Sequence, residues 1–429
     1  MSTPRRVRSR ESRGFTLVEL LVALSCGLFV SVVVFNLARD ASRFYQREGR
    51  AANATLVAIA GFERLRLDIA RAGFMASPNV AADPFVCTRP GATAPVLMQR
   101  LAAIRIMNQG SPSNTVLAAN SLSPDSLILA GSYSSPDEFA VRQIGLNANL
   151  TSFVLLDPAT PAMARLGYTS AATPELRTER LQSVFAVGRA VRIVDRRGHQ
   201  HYGLIQAASS GASGAQPTVT LSAAIPLRYR ASSTGQLCGI VANETGATIN
   251  VVNFIRYDVH KMVDDGGSSP YDALFAARTG TYGETERTEL VRGELDPADA
   301  SGTALLSGTP EELVAEYAVD FELEPTAVTG APEPDPTLTQ LPSSHASFAA
   351  FTGATGAAQR IRSVRVRLGV RTREGDRNAN VPATADIAPG TYRVLLGTEG
   401  SGVYAQERWA RIRTLQADVA LNNLLGVTW

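Results

Sequence analysis

The sequence predicts an α+β protein: one long N-terminal α-helix, membrane-spanning in its first half, packed on an antiparallel β-sheet that carries an inserted β-rich region. Three observations predict it. Residues 15–38 form an apolar run with a single charge, Glu19. Residues 39–72 contain no proline and repeat apolar side chains at spacings of three and four. From about residue 75, short β-branched runs alternate with clusters of Gly, Ser, Pro and Asn, the texture of strands and turns.

The chain is long enough, at 429 residues, to bury a core of normal size. A net charge of +2 creates no global field toward nucleic acid or acidic substrates. Lys261 is the only lysine, which removes lysine-based catalysis from most of the chain.

Residues 1–14 carry Arg5, Arg6, Arg8, Arg10 and Arg13 against one acid, Glu11. As a helix, residues 15–38 extend about 36 Å at about 1.5 Å per residue, enough to cross a bilayer core. The arginines predict a cytoplasmic N-terminus and export of everything after Arg39. A secretory signal peptide has a shorter apolar core and an A-x-A-like cleavage site, whereas this run ends at Arg39 and Asp40. A plain signal anchor leaves Glu19 unexplained, because an acid at mid-membrane costs about 2.5–3.5 kcal/mol. A cut between Gly14 and Phe15 supplies a reason. It creates an ammonium at Phe15, about one helical turn from Glu19. Carboxylate and ammonium can then neutralise each other across two staggered parallel helices.

Gly14, Phe15, Thr16, Leu17, Val18 and Glu19, behind a short basic leader, resemble the class III signal of type IV prepilins and pseudopilins. The resemblance implies cleavage after Gly14 by a prepilin peptidase and methylation of the Phe15 amine. It also implies that Glu19 pairs with the N-terminus of a neighbouring subunit or acts during assembly.

The helix is expected to run past the membrane. Leu56, Ile59, Phe62, Leu65 and Ile69 fall on one face, with Arg64, Arg66, Asp68 and Arg71 mostly off it. Gly49 and Gly61 are weak points, and Gly73 is the expected stop. Strands are expected at 126–130, 190–194, 201–205 and 218–221, the last three as a small meander turning at 195–198. A second β unit begins near Ile249, with strands around 251–257, 290–293 and 317–323. Glu324 to Pro342 is acidic and proline-rich and reads as a loop. Residues 361–370 alternate, with Val364, Val366, Leu368 and Val370 on one face. Arg365, Arg367, Arg371 and Arg373 would fall on the other, a solvated sheet face or a surface for a polyanion. Residues 411–422 read as the last strand.

This layout resembles PilW-type minor pilins and, more distantly, the J minor pseudopilin of type II secretion. It implies a division into a cleaved leader (1–14), an N-terminal helix (15–74, membrane-spanning at 15–38), a β-rich insert (75–248) and a pilin-like sheet domain (249–429). The expected function is a minor pilin that primes pilus assembly and sits at or near the tip. The alternatives are a type II secretion pseudopilin and a single-span anchored binding protein outside any filament. Expected partners are other minor pilins, the major pilin, a large tip adhesin, the prepilin peptidase and the inner membrane, with no nucleic acid. The expected location is the inner membrane with a periplasmic C-terminal region, then the pilus at the cell surface.

Of the three cysteines, Cys26 lies in the apolar run; export would allow Cys87 and Cys238 to pair. His199 and His201 flank Gln200 at a turn, without a cysteine or acid in a zinc pattern. Asp376 to Asn380 begins like a calcium loop, but Val381 replaces its glycine and Ile387 its closing glutamate. No nucleophile, Walker or H-E-x-x-H motif is present, so neither an enzymatic activity nor a cofactor is expected.

Overall fold

The computed structural model describes residues 16–87, 94–146, 152–211, 216–230, 238–241, 245–262, 271, 284, 286–330, 337–353, 356–373, 390–398, 404–427 and 429. The chain divides into two compact units, 1–53 and 54–429. Helix α1 (Leu17–Ala70) begins in the first and ends in the second.

In the first unit, Leu17–Gln46 is long and apolar enough to cross a membrane, and none of its described side chains is buried within the chain. Leu20, Leu24, Leu28, Phe29 and Phe35 all stand exposed. An isolated apolar helix of this length matches a lipid or helix-bundle environment.

In the second unit, α1 buries Ala58, Phe62, Leu65 and Ile69 in the main core. Leu56 and Ile59 are exposed and Asp68 is buried, so the buried face is rotated from the one expected. Gly61 lies on this buried face. A Cβ there would lie 2.3 Å from the Val314 carbonyl oxygen and 3.1 Å from the Ala315 Cβ. The glycine therefore admits a strand backbone against the helix, and small Ala58 lies one turn before it. Gly61→Ala gains about 1 kcal/mol of helix propensity but overpacks the contact, which typically costs about 1–3 kcal/mol. The backbone carbonyl cannot swing aside as a side chain can. We expect net destabilisation, larger still for Gly61→Val, in urea unfolding of the full chain in detergent. Wild-type stability of Gly61→Ala would show the contact to be loose. Gly73, with φ +75°, ends the helical region as expected.

The β region contains β1 (Ile104–Met107), β2 (Ser126–Gly131), β3 (Phe139–Leu146), β4 (Ser152–Leu156), β5 (Ala190–Val194), β6 (Gln200–Ser209), β7 (Thr218–Leu221), β8 (Tyr229–Arg230) and β9 (Ile240–Val241). It continues with β10 (Thr248–His260), β11 (Glu289–Glu294), β12 (Glu312–Ala315), β13 (Ala318–Val328), β14 (Leu338–Gln340), β15 (Ile361–Arg371), β16 (Thr391–Thr398) and β17 (Tyr404–Ala420).

Strand β10 serves two structures. Its first half pairs with β3 on one side and β5 on the other, and β3–β4–β7–β6–β5 completes the ring. The result is a closed six-stranded barrel around Ile144, Val154, Val191, Ile193, Val219 and Ile249. The second half of β10 is the middle strand of β1–β2–β10–β11–β12. Strands expected in a domain starting at 249 thus pair with the preceding segment. A five-stranded sheet has the order β14–β13–β15–β17–β16, and β8 and β9 form a short parallel pair. The expected meander is β5–β6–β7, and the alternating segment 361–370 is β15. The expected loop 324–342 is partly strand: β13 runs to Val328 and β14 follows. Pro325 is tolerated because its missing N–H would face the edge away from β15, where its carbonyl accepts from Leu341 N–H at 2.8 Å.

Asp68, 4% exposed, ties the end of α1 to β10 and β11. Its Oδ2 accepts from Tyr257 Oη–H and Arg292 Nε–H, each at 2.8 Å. Arg292 also reaches Glu312 at 3.3 Å, and Tyr133 donates to the Asp68 carbonyl at 2.9 Å.

Candidate functional site

The residues singled out at the N-terminus are Gly14, Phe15 and Glu19. Gly14 and Phe15 lie outside the described residues. Thr16 is the first described residue, and it begins the helix with Glu19. Glu19 Oε2 accepts from Thr16 N–H and from Thr16 Oγ1–H, each at 3.0 Å, while Thr16 Oγ1 accepts from Glu19 N–H at 3.3 Å. This reciprocal pattern is a capping box. Threonine followed three residues later by glutamate, directly before an apolar run, is its sequence signature, a signal that the expectations for Glu19 did not include. The box starts α1 immediately after Phe15 and gives the Glu19 carboxylate local hydrogen-bond partners. A charge with such partners is less costly to carry into an apolar medium.

Cys87 and Cys238 are joined by a disulfide across 151 residues, with Cα atoms 5.4 Å apart. Cys87 N–H also donates to the Gln200 carbonyl at 2.9 Å, so its segment lies beside β6. Cys26 is free and exposed on α1.

Three of the four arginines expected on the basic strand face are paired with acids, and Arg373 lies exposed beyond the end of β15. Arg365 lies opposite Glu324 and Asp418 and pairs with both, the latter at 3.1 Å. Arg367 pairs with Asp320 at 2.9 Å and with Glu322. Arg371 is buried and pairs with Glu284. Cross-strand acids have taken up the charge that a polyanion would require.

His199 and His201 both approach Asp195 Oδ2, at 3.3 and 3.5 Å, while Asp195 Oδ1 accepts from the N–H groups of Arg197 and His199. The carboxylate thus organises the hairpin turn. Among the described residues no group of three or more His, Cys, Asp or Glu is arranged to hold a metal ion. The calcium-like stretch 376–380 lies outside the described residues.

His260 sits between Asp258 Oδ1 at 2.9 Å and Glu311 Oε2 at 3.2 Å. Burial alone would lower its pKa, but hydrogen bonds and charge from the two acids outweigh it and raise the value to about 9. The raised value means stability fully present below the ordinary histidine pKa of about 6.5 and lost as pH rises through about 9. The contribution is on the order of 3 kcal/mol. Urea unfolding at pH 6 and 9.5 should show a gap between wild type and His260→Gln that shrinks at the higher pH. A gap independent of pH would remove the charged imidazolium from the account.

Residues 9–35 match the model of the prokaryotic N-terminal methylation motif. No curated protein and no solved structure matches the chain. The motif match, the exposed apolar helix and the α+β architecture support a precursor of the type IV pilin or pseudopilin class, anchored in a membrane by its N-terminal helix.

Proposed function

We propose that this chain is a minor pilin: cleaved after Gly14, held in the inner membrane by α1 with its β region in the periplasm, and primed there with other minor pilins to start a type IV pilus. On this reading it sits at or near the tip, beneath a large adhesin. The observation that carries the reading is the Gly14 to Glu19 signal, at the start of an apolar stretch, Leu17–Gln46, that is not buried within the chain. The head supports the minor role. A six-stranded barrel inserted beside a pilin-like sheet is bulky, and such a head is hard to repeat along a filament.

Processing tests the reading first. Mass spectrometry of the protein from membranes should find a mature N-terminus at Phe15, carrying an N-methyl group. Gly14→Leu should accumulate as uncut precursor. An intact Met1 terminus, or normal cutting of the Gly14→Leu variant, would refute it.

A further inference from the structure

Among the described residues, the sheet β14–β13–β15–β17–β16 has two edge positions that no strand occupies, and one short segment closes both. On β16, the side-chain amide of Asn120 takes the place of a neighbouring strand. It donates to the Arg393 carbonyl at 3.1 Å and accepts from Arg393 N–H at 2.6 Å. On β13, beyond the end of β14, Asp125 does the same. Its N–H donates to the Phe321 carbonyl at 2.7 Å, and its Oδ2 accepts from Leu323 N–H at 2.9 Å.

Asn120 and Asp125 are close in sequence, so their stretch spans at most about 18 Å. In a flat sheet the positions outside β13 and β16 would lie about 24 Å apart laterally. The sheet must therefore coil until its edges converge, and residues 109–125 fill the seam.

The plug is held from within. Val116 and Leu117 are buried in the core the sheet shares with α1. Ser111 Oγ donates to the Asp125 carbonyl at 2.6 Å and accepts from Val259 N–H at 3.0 Å. Asp125 Oδ1 accepts from Gln109 N–H at 2.9 Å.

An unoccupied strand edge is a template for another chain. We propose that residues 109–125 are an edge guard, in which Asn120 and Asp125 keep the five-stranded sheet from adding a strand of a second copy of this chain. The guard matters for a membrane-anchored chain, because confinement in a bilayer brings copies side by side.

The test uses the full chain in detergent and the variant Asn120→Ala, which empties the Arg393 edge. Loss of a hydrogen bond of about 1 kcal/mol should speed amide exchange at Arg393 about fivefold. Val394, whose N–H faces β17 by strand alternation, should change little. Light scattering should show concentration-dependent association absent from the wild type. Adding Arg393→Pro, which removes the edge N–H and blocks pairing, should abolish that association. The proposal is overturned if exchange at Arg393 is unchanged, if no association follows, or if association survives Arg393→Pro. Loss of the fold in Asn120→Ala would also overturn it, since a guard is dispensable to the monomer.

Discussion

Glu19→Ala is expected to insert and be cut normally, yet to lose co-assembly with other pilins. The substitution removes a charge from an apolar helix, so anchoring survives or improves. On the proposed function it also strips a neighbour's Phe15 ammonium of its partner inside an apolar bundle, and breaking such a buried pair costs about 3–5 kcal/mol. The capping box supplies a control. Thr16→Ala removes the two hydrogen bonds made by the Thr16 hydroxyl but keeps the backbone N–H that donates to Glu19; losing an N-cap costs about 0.5–2 kcal/mol of helix stability, and the carboxylate stays in place. Pull-down of partner pilins and a count of surface pili should therefore fall sharply for Glu19→Ala and only modestly for Thr16→Ala. Glu19→Asp should be intermediate, because the shorter side chain reaches less far. Equal losses in Glu19→Ala and Thr16→Ala would reduce Glu19 to a helix cap. Wild-type levels in Glu19→Ala would favour an anchored binding protein outside any filament.

The second large effect is expected at Asp68. Asp68→Ala leaves the guanidinium of Arg292 and the hydroxyl of Tyr257 buried without their shared acceptor. The expected loss is about 3–5 kcal/mol in urea unfolding of the full chain. Asp68→Leu combined with Arg292→Met should be milder than either single change, because an apolar pair of similar volume avoids the stranded charge. A loss in Asp68→Ala within about 1 kcal/mol, the range of exposed pairs, would mean that water reaches the site.

The helix, its stop at Gly73, the β5–β6–β7 meander and the alternation of β15 were all legible because each is written locally. A period of 3.6 or 2 and a turn residue at the right offset need no knowledge of the rest of the chain. The alternation also located the arginines of β15, but not the acids opposite them, which come from β13 and β17. The eight-residue strand β3 and the barrel it helps to close were missed for the same reason. Their pairings join residues 139–140 to 248–249 and 190–194 to 248–252, and no local pattern states which strands will meet.

What the sequence by itself determined is the N-terminal pattern: a basic stretch, a glycine and phenylalanine behind it, one acid in an apolar helix, and a β-rich region after that. On the proposed function those signals are read by a membrane and a peptidase as linear chain, which requires them to be local. Only the tertiary structure decided that Asp68 is buried, that Gly61 is a contact, that β10 belongs to two assemblies, and that Asn120 and Asp125 close one seam. Burial and edge pairing depend on which distant segments arrive at a residue, and that follows from packing the whole core at once.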